Sequence, residues 1–268
     1  MISSSANPQI KQIRKLRELK ERQKTGLYYI EGIRIVAEAI QQQANLEKLV
    51  FAPQLLSSDL GRTLVEEQAR YGVPVLEVTA GVFEKFSLKE RPQGIAAICK
   101  QRWMDLEGVE LKDDEIYVAL ESVQDPGNLG TIMRTNDAVG CKGLILLGHA
   151  TDPYNPTSIR ASMGAVFSQA LIKTTLHEFL EWKKKHNIPV VGTSGSAILD
   201  YHDFAYPPSM ILFMGSERMG LQKQHLRICE NMVKIPMVGR SDSLNLGVAT
   251  AVVLYEIFNQ RRHSTSKK

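Results

Sequence analysis

The chain has 268 residues, a length that suits one large or two compact domains, and its 43% hydrophobic and 23% charged residues are ordinary for a globular protein. Its three cysteines are widely spaced and odd in number, which excludes a disulfide framework and a CxxC zinc site and favours the cytoplasm. Six histidines show no metal-ligand spacing, so we expect no metal. No apolar run approaches the ~18 residues that a membrane span needs.

The net charge of +4 is concentrated at the N-terminus, where residues 1–30 hold seven Lys or Arg and two Asp or Glu. Asn7 before Pro8 is typical of a helix start, and apolar residues recur at helical spacing as far as Gly26. This helix carries a basic stripe with two open interpretations, an RNA-binding surface or a solvated helix face. The residues assigned to RNA binding are Lys11, Arg14, Lys15 and Arg17.

Short apolar runs alternate with amphipathic stretches in the first hundred residues, which predicts a small α/β domain over residues 1–100. Residues 101–115 hold six carboxylates and little periodicity, so we interpret them as a linker. Strands are predicted at Leu27–Ile30, Leu46–Phe51, Val73–Val78 and Gly94–Cys99, and helices at Ile33–Gln42, Asp59–Tyr71 and Val82–Leu88.

A second α/β alternation follows over residues 116–260, before a basic tail at 261–268. The last helix is mostly apolar, so we expect it to be buried in a core or an interface. Strands are predicted at Ile116–Leu120, Gly143–Leu147, Leu171–Thr174, Pro189–Thr193, Met210–Met214 and Met232–Ile235. Helices are predicted at Asn128–Val139, Ser158–Ala165, Leu176–His186, Gln222–Asn231 and Leu244–Gln260.

Three segments of this second domain interrupt the pattern with polar residues and glycine. In DPGNLGTIMRTNDAVG, Asn128 stands at a predicted helix start and Arg134 lies about 240° further round the helix, so one ligand meets both only if Asn128 caps the helix from outside. In ILFMGSERMG, a strand runs into Gly215 and Glu217, where a carboxylate can hold a ribose hydroxyl or an ammonium group.

The third segment is KIPMVGRSDSLNLG, in which Ser243 is a natural N-cap of the last helix and Asn245 stands beside it. Each segment alone also has a purely structural interpretation as a helix cap. The chain has no GxGxxG and no GxxxxGK[ST] motif, which removes support for nucleotide cofactors bound by those loops. The absence of a GxSxG motif argues against a serine hydrolase.

In their order and spacing, the three segments resemble the motifs of the SpoU/TrmH-type RNA ribose 2'-O-methyltransferases of the SPOUT superfamily. The resemblance covers about residues 116–258, and EGIRIVAEAI (31–40) resembles the small α/β RNA substrate-binding domain, of ribosomal-protein-like fold, that often precedes the catalytic domain. It implies an α/β fold threaded into a trefoil knot, a homodimer packed through the knot, and S-adenosylmethionine as cofactor.

The resemblance also implies which residues carry the function. Those expected to line the cofactor pocket are Thr193, Gly195, Gly215, Ser216, Glu217, Ile235, Met237, Ser243, Leu244 and Leu246. Those expected to be catalytic are Asn128, Arg134, Glu217, Ser243 and Asn245. The chain departs from the family pattern at Asn136, Arg218 and Gly247, and Arg218 stands directly after Glu217.

The implied reaction is transfer of a sulfonium methyl group to a ribose 2'-hydroxyl of structured RNA. Because an arginine stays protonated near neutral pH, we assign to Arg134 the binding of RNA phosphate and the stabilisation of the developing alkoxide, rather than proton removal. Asn128, Ser243 and Asn245 would orient the nucleotide, and Glu217 would support Asn128 or Arg134. Ribosomal RNA is the expected substrate; a transfer RNA methyltransferase and a non-catalytic RNA-binding ribosome assembly factor stay open as alternatives.

Overall fold

The computed structural model describes residues 1–265, which form two compact units. The first unit contains Met1–Gln101 and Tyr154–Phe167, and the second contains Arg102–Pro153 and the chain from Ser168 onward. The segment Tyr154–Phe167 therefore groups with the first hundred residues, although the sequence pattern assigned it to the second domain.

The helices and strands of the first hundred residues follow the predicted order with one additional break. Their four strands form a sheet of order β1-β4-β2-β3, in which β4 is antiparallel to both neighbours. The elements are α1 (Pro8–Lys15), α2 (Leu19–Thr25), β1 (Leu27–Glu31), α3 (Ile33–Gln41), β2 (Leu46–Phe51), α4 (Asp59–Arg70), β3 (Val75–Glu77), α5 (Ala80–Phe86) and β4 (Ile95–Lys100).

The break divides the predicted N-terminal helix into α1 and α2. Arg22 is 1% exposed, and its Nη1 donates to the backbone oxygens of Leu16 and Arg17, which the end of α1 leaves without helical partners. Arg22 is one of the seven basic residues among residues 1–30 that we assigned to the basic stripe. For Arg22 that prediction is wrong, because its buried guanidinium holds the turn between the two helices.

The remaining elements are β5 (Ile116–Glu121), α6 (Pro126–Ala138), β6 (Gly143–Leu147), α7 (Pro156–Ser162), β7 (Ala170–Thr174), α8 (Leu176–His186), β8 (Val190–Thr193), β9 (Leu199–Asp200), β10 (Met210–Met214), α9 (Lys223–Leu226), β11 (Asn231–Lys234) and α10 (Leu246–Thr265). Of these, α7 lies in the first unit and the others in the second. Their seven strands form a parallel sheet of order β7-β6-β5-β10-β8-β11-β9.

The strands β5, β6 and β10 are almost entirely buried apolar runs. A parallel sheet is covered by helices on both faces, so both sides of its inner strands are apolar. Within the predicted linker, Val109 is 2% exposed and packs in the same core as Trp182, so this stretch folds with the second unit.

The predicted helix Gln222–Asn231 is wrong beyond its first turn, since α9 ends at Leu226. The physical reason is Glu230, whose backbone N–H donates to the Val190 carbonyl oxygen at 3.0 Å while its carboxylate accepts from the Val190 N–H at 2.7 Å. These bonds draw the chain into the sheet as β11.

Candidate functional site

Three loops of the second unit leave the same edge of the parallel sheet. The strands β10, β8 and β11 are neighbours, and their carboxyl ends lie at Met214, Thr193 and Lys234. In open α/β sheets, ligands bind in the crevice at this edge. Residues predicted to bind the cofactor therefore follow three adjacent strands: Thr193 and Gly195, then Gly215, Ser216 and Glu217, then Ile235 and Met237.

The loop after β10 turns back tightly upon itself. A side chain at Gly215 would overlap the backbone of Gly220 and Leu221, and Ser216 forms a β-bridge with Gly220. The Ser216 hydroxyl also accepts from the Met219 N–H at 3.2 Å. Glycine is required at position 215 because this backbone approach leaves no room for a Cβ atom.

A chain of side-chain hydrogen bonds connects the three polar segments. Asn128 lies at its centre, donating through Nδ2 to Glu217 Oε1 at 3.3 Å and accepting at Oδ1 from Asn245 Nδ2 at 2.8 Å. The Glu217 carboxylate also accepts from the backbone N–H groups of Gln124 and Asp125 at 3.2 Å. Three segments that are distant in sequence are thus joined at one point.

The helix caps differ from the predicted ones. Asp125 is the N-cap of α6, accepting from the Asn128 N–H at 2.7 Å, so Asn128 lies within the first turn and not outside the helix. Asn245 caps α10, accepting from the Gly247 and Val248 N–H groups at 2.9 and 3.3 Å. Ser243 is therefore not the N-cap of the last helix; its hydroxyl donates to Asp242 at 3.4 Å.

The position of Asn128 decides how Arg134 can act. With both residues inside α6, their side chains point about 240° apart around the helix axis. Asn128 faces Glu217 and Asn245, whereas Arg134 is exposed. Asn128 and Arg134 therefore lie on different faces of α6.

A polar cavity of about 470 Å³ opens beside Glu217, and sequence reasoning missed the residues at its base. Glu121 ends β5, and among the described residues its Oε2 has no hydrogen-bond partner. His225 is 3% exposed, and its Nε2 lies 3.8 Å from that oxygen. His225 Nδ1 accepts from the Gln222 N–H at 3.1 Å, and His225 Nε2 lies 3.2 Å from the amide nitrogen of Gln224. The available signal was Glu121, a carboxylate directly after a buried strand.

The residues expected to line the cofactor pocket fit S-adenosylmethionine in their chemistry. Gly195 has open space where a side chain would be, and Met237 and Leu244 are each 38% exposed. These apolar side chains suit an adenine ring, while Glu217 supplies a carboxylate for the cationic or hydroxyl groups. Ser243 and Leu244 belong to the loop between β11 and α10, and Leu246 begins α10. The part of these three residues in the pocket stays a prediction.

The three departures from the family pattern have different surroundings. Asn136 is fully buried and donates through Nδ2 to the Gly143 carbonyl oxygen at 3.3 Å. Arg218 is exposed at the polar cavity. A side chain at Gly247 would come within 3.3 Å of Asn245 Oδ1 and of Thr131. None of the three displaces the Glu217–Asn128–Asn245 chain.

In the first unit, the four residues predicted to bind RNA are all exposed, but they are not equivalent. Arg17 donates through Nη2 to the backbone oxygens of Phe86 and Ser87, which ties α1 to the end of α5. Lys11, Arg14 and Lys15 line one shallow surface with it. The assignment of these four residues to RNA stays a prediction.

Other chemistries have little support in the described residues. Burial raises the pKa of Cys99, Cys141 and Cys229 to about 12, so a reactive thiolate is disfavoured. Within residues 1–265, no group of three His, Cys, Asp or Glu side chains is arranged to hold a metal ion. Among the helices of residues 1–265, none has both the length and the apolar composition of a membrane-spanning helix.

Comparison with protein families gives two matches that divide the chain. Residues 115–255 match the SpoU rRNA Methylase family, and residues 7–97 match the MRM3-like substrate binding domain. The first match contains Asn128, Glu217 and Asn245.

Individual relatives match over most of their length. A 23S rRNA (uridine(2479)-2'-O)-methyltransferase of Streptomyces viridochromogenes is 30% identical over 90% of this chain and 85% of its own. A 23S rRNA (guanosine(2553)-2'-O)-methyltransferase, RlmP of Bacillus subtilis, is 27% identical over 96% of this chain and 98% of its own. The crystal structure of an AdoMet-bound rRNA methyltransferase from Sinorhizobium meliloti is 35% identical, covers 98% of this chain and 97% of its own, and superposes with a TM-score of 0.88.

Proposed function

This chain belongs to the SpoU rRNA Methylase family, and from that membership we propose that it methylates a ribose 2'-hydroxyl of 23S ribosomal RNA with S-adenosylmethionine as methyl donor. Two relatives that match at least 85% of their own length are named for 2'-O-methylation of 23S rRNA. The AdoMet-bound structure of a further relative supports the cofactor.

The observation that carries the proposal is the hydrogen-bond chain from Glu217 through Asn128 to Asn245. Its two amides stand at the edge of the sheet where the loops predicted to bind the cofactor leave β8, β10 and β11. Amide and carboxylate groups locked in this way can orient a ribose without reorganising during the reaction. The presence of all three residues argues against a protein that only binds RNA.

When bound, S-adenosylmethionine supplies an electrophilic methyl group on its sulfonium sulfur. Asn128, Ser243 and Asn245 orient the nucleotide, and Glu217 fixes the Asn128 amide. Arg134 binds the RNA phosphate and stabilises the negative charge that develops on the 2'-oxygen.

Because Arg134 points away from the Asn128 of its own chain, we assign it to the active site of a second copy. The proposed homodimer is supported by α10, on which Val248 is 48% exposed and Tyr255 52% exposed, with the half-buried Val252 between them. Residues at this spacing form one apolar face. We also propose the trefoil knot of the family, which the separation of β10 from β11 by β8 supports.

The first unit would grip the RNA, since residues 7–97 match a substrate binding domain and α1 presents Lys11, Arg14 and Lys15 to solvent. A cytoplasmic location is proposed with this function, because the substrate is ribosomal RNA. We propose residues 1–100 as the substrate-binding domain and 116–260 as the methylase domain. Residues 102–115 fold with the second unit, and Tyr154–Phe167 folds with the first.

Methyl transfer from labelled S-adenosylmethionine to purified 23S rRNA and to bulk transfer RNA tests this proposal. We expect label in 23S rRNA, recovered after nuclease digestion as a nucleoside carrying the methyl group on its ribose. Label in transfer RNA alone would favour the transfer RNA alternative. If calorimetry detects no S-adenosylmethionine binding and no RNA is labelled, the protein is the non-catalytic binding factor.

A further inference from the structure

A second cavity, away from the residues used above, lies wholly within the first unit. It has a volume of about 380 Å³ and is lined by β1, α3, the loop after α5 and α7. Below it is called the α3 cavity. Its basic lining residues are Arg34, Lys89 and Arg160, and its apolar ones include Ile35, Leu88 and Met163.

The charges at the α3 cavity are not neutralised by ion pairs. In the described residues, none of Arg34, Lys89 and Arg160 has a carboxylate oxygen within 4.0 Å, and all three are exposed. The one carboxylate in the wall, Glu31, is 7% exposed and is already occupied by other donors. Unpaired cations around a concave surface attract an anion, and in RNA that anion is phosphate.

Glu31 has a positioning role in this arrangement. Its carboxylate accepts from the Tyr29 hydroxyl at 3.0 Å, the Ser87 hydroxyl at 2.5 Å and the Leu88 N–H at 2.8 Å. The carboxylate thereby fixes the loop that carries Leu88 and Lys89 at the cavity rim. Gly32 has a φ of +110°, and a side chain there would meet the Lys89 ammonium, so glycine leaves space for that cation.

The apolar part of the lining points to more than a phosphate site. Leu88 is 44% exposed and Met163 is 40% exposed, although both are large apolar side chains. Proteins that take up an extruded base hold it between aromatic or apolar side chains, and Lys and Arg side chains hold the phosphate. Bases inside a duplex are stacked and cannot enter such a cavity, so a single-stranded or extruded nucleotide is required.

We infer that the α3 cavity binds one unpaired RNA nucleotide, with its phosphate held by Arg34, Lys89 and Arg160 and its base placed against Leu88 and Met163. The inference rests on the proposed RNA substrate and assigns to the first unit a nucleotide site that is separate from the methyl-transfer site. It also gives a function to α7, which the family match places in the methylase region although it folds with the first unit.

Isotope-labelled methionine methyl groups in the full chain provide the test, with the Met163 signal assigned through Met163→Leu. The probes are the four nucleoside monophosphates, with ribose 5-phosphate as the base-free control. We expect saturable shifts of the Met163 methyl signal with the nucleotides and much smaller ones with ribose 5-phosphate. Arg34→Ala with Arg160→Ala should weaken nucleotide binding about tenfold or more, because two charge-assisted contacts are lost.

Matched variants separate the cavity from general surface effects. Lys112→Ala with Lys173→Ala, at two exposed lysines of the second unit, changes the net charge by the same amount and should leave nucleotide binding unchanged. Leu88→Ala should weaken it, whereas Leu19→Ala, at a residue of similar exposure on α2, should not.

Two outcomes would overturn the inference: a Met163 signal that no nucleotide shifts, or one that ribose 5-phosphate shifts as strongly, which indicates a phosphate site alone. The measurement requires no methyl transfer. Nucleotide binding without RNA methylation would refute the proposed function and support the nucleotide site in the α3 cavity. RNA methylation without nucleotide binding would support the proposed function and refute the nucleotide site.

Discussion

Replacing Asn128 by aspartate tests the hydrogen-bond chain at its centre. Asn128→Asp keeps the size of the side chain and its acceptor for Asn245, but converts the Nδ2 donor facing Glu217 into an oxygen. Two carboxylates would then stand where the amide nitrogen and Glu217 Oε1 are 3.3 Å apart. The repulsion is about 1 kcal/mol in bulk water and about 5 kcal/mol at an effective dielectric constant of about 20.

Because of this repulsion, one of the two carboxylate side chains turns away from the other, or the two carboxylates share one proton. We expect kcat/KM for RNA methylation to fall at least about fivefold near neutral pH, since 1.4 kcal/mol corresponds to about a tenfold change in rate. As pH falls, a shared proton restores one donor between the two carboxyl groups, so the activity of Asn128→Asp relative to the original chain should rise.

Asn128→Ala is the matched control, because it removes both hydrogen bonds without adding charge. Its activity should be low at every pH. The assay is methyl transfer from labelled S-adenosylmethionine to 23S rRNA between about pH 5 and about pH 8. Ordinary carboxyl groups titrate near pH ~4, so a proton shared within this range requires that each carboxylate raises the pKa of the other. If Asn128→Asp matches the original chain, or follows the same pH profile as Asn128→Ala, the Glu217–Asn128 contact has no part in the reaction.

Four further outcomes are expected. Arg134→Ala should lower turnover by ~100-fold or more with unchanged S-adenosylmethionine affinity by calorimetry, and original turnover would remove Arg134 from the mechanism. Val252→Glu places a charge on the half-buried face of α10 and should give a monomer in sedimentation; a persisting dimer would move the interface elsewhere. Charge reversal at Lys11 and Lys15 should reduce the slope of log affinity against log salt by ~0.7–0.9 for each lost phosphate contact, whereas an unchanged slope makes α1 a solvated face. Arg22→Met should lower the free energy of unfolding by roughly 2–4 kcal/mol in urea titrations, because two backbone oxygens lose their donor, and a loss near zero would contradict that role.

The sequence predicts strands well where they are continuous apolar runs. Gly143–Leu147 and Met210–Met214 have the predicted bounds, because period and composition alone identify a strand buried on both faces. The amphipathic helix Leu176–His186 is also found as predicted, with Thr175 and Glu178 forming its capping box. These features depend on neighbours in sequence.

Features that depend on distant partners could not be predicted in the same way. Ser243 and Asn245 are both good N-caps, and Asn245 takes that place because its amide can accept from α10 while donating to Asn128. The break after α1 requires a buried Arg22, whose residue type suggests a solvated charge. The grouping of Tyr154–Phe167 with the first hundred residues has no local signal at all.

The site residues also differ in whether a local sequence pattern or a distant contact reveals them. The three polar segments were identified because each interrupts a strand–helix pattern, and the structure joins them through Asn128. Glu121 and His225 were missed because one is the last residue of a strand and the other lies in a short helical turn. Only the sheet order, which places β5 beside β10, brings these two residues together.

Mapping ribose methylation across 23S rRNA tests the central claim most directly. RNA from cells with the gene, from cells without it, and from cells complemented with Asn128→Ala would be compared at every nucleotide, with the protein level of each variant verified. We expect one 23S rRNA position to lose its 2'-O-methyl group without the gene, to regain it with the original chain and to stay unmethylated with Asn128→Ala. An unchanged 23S rRNA methylation pattern, or full restoration by Asn128→Ala, would contradict the account.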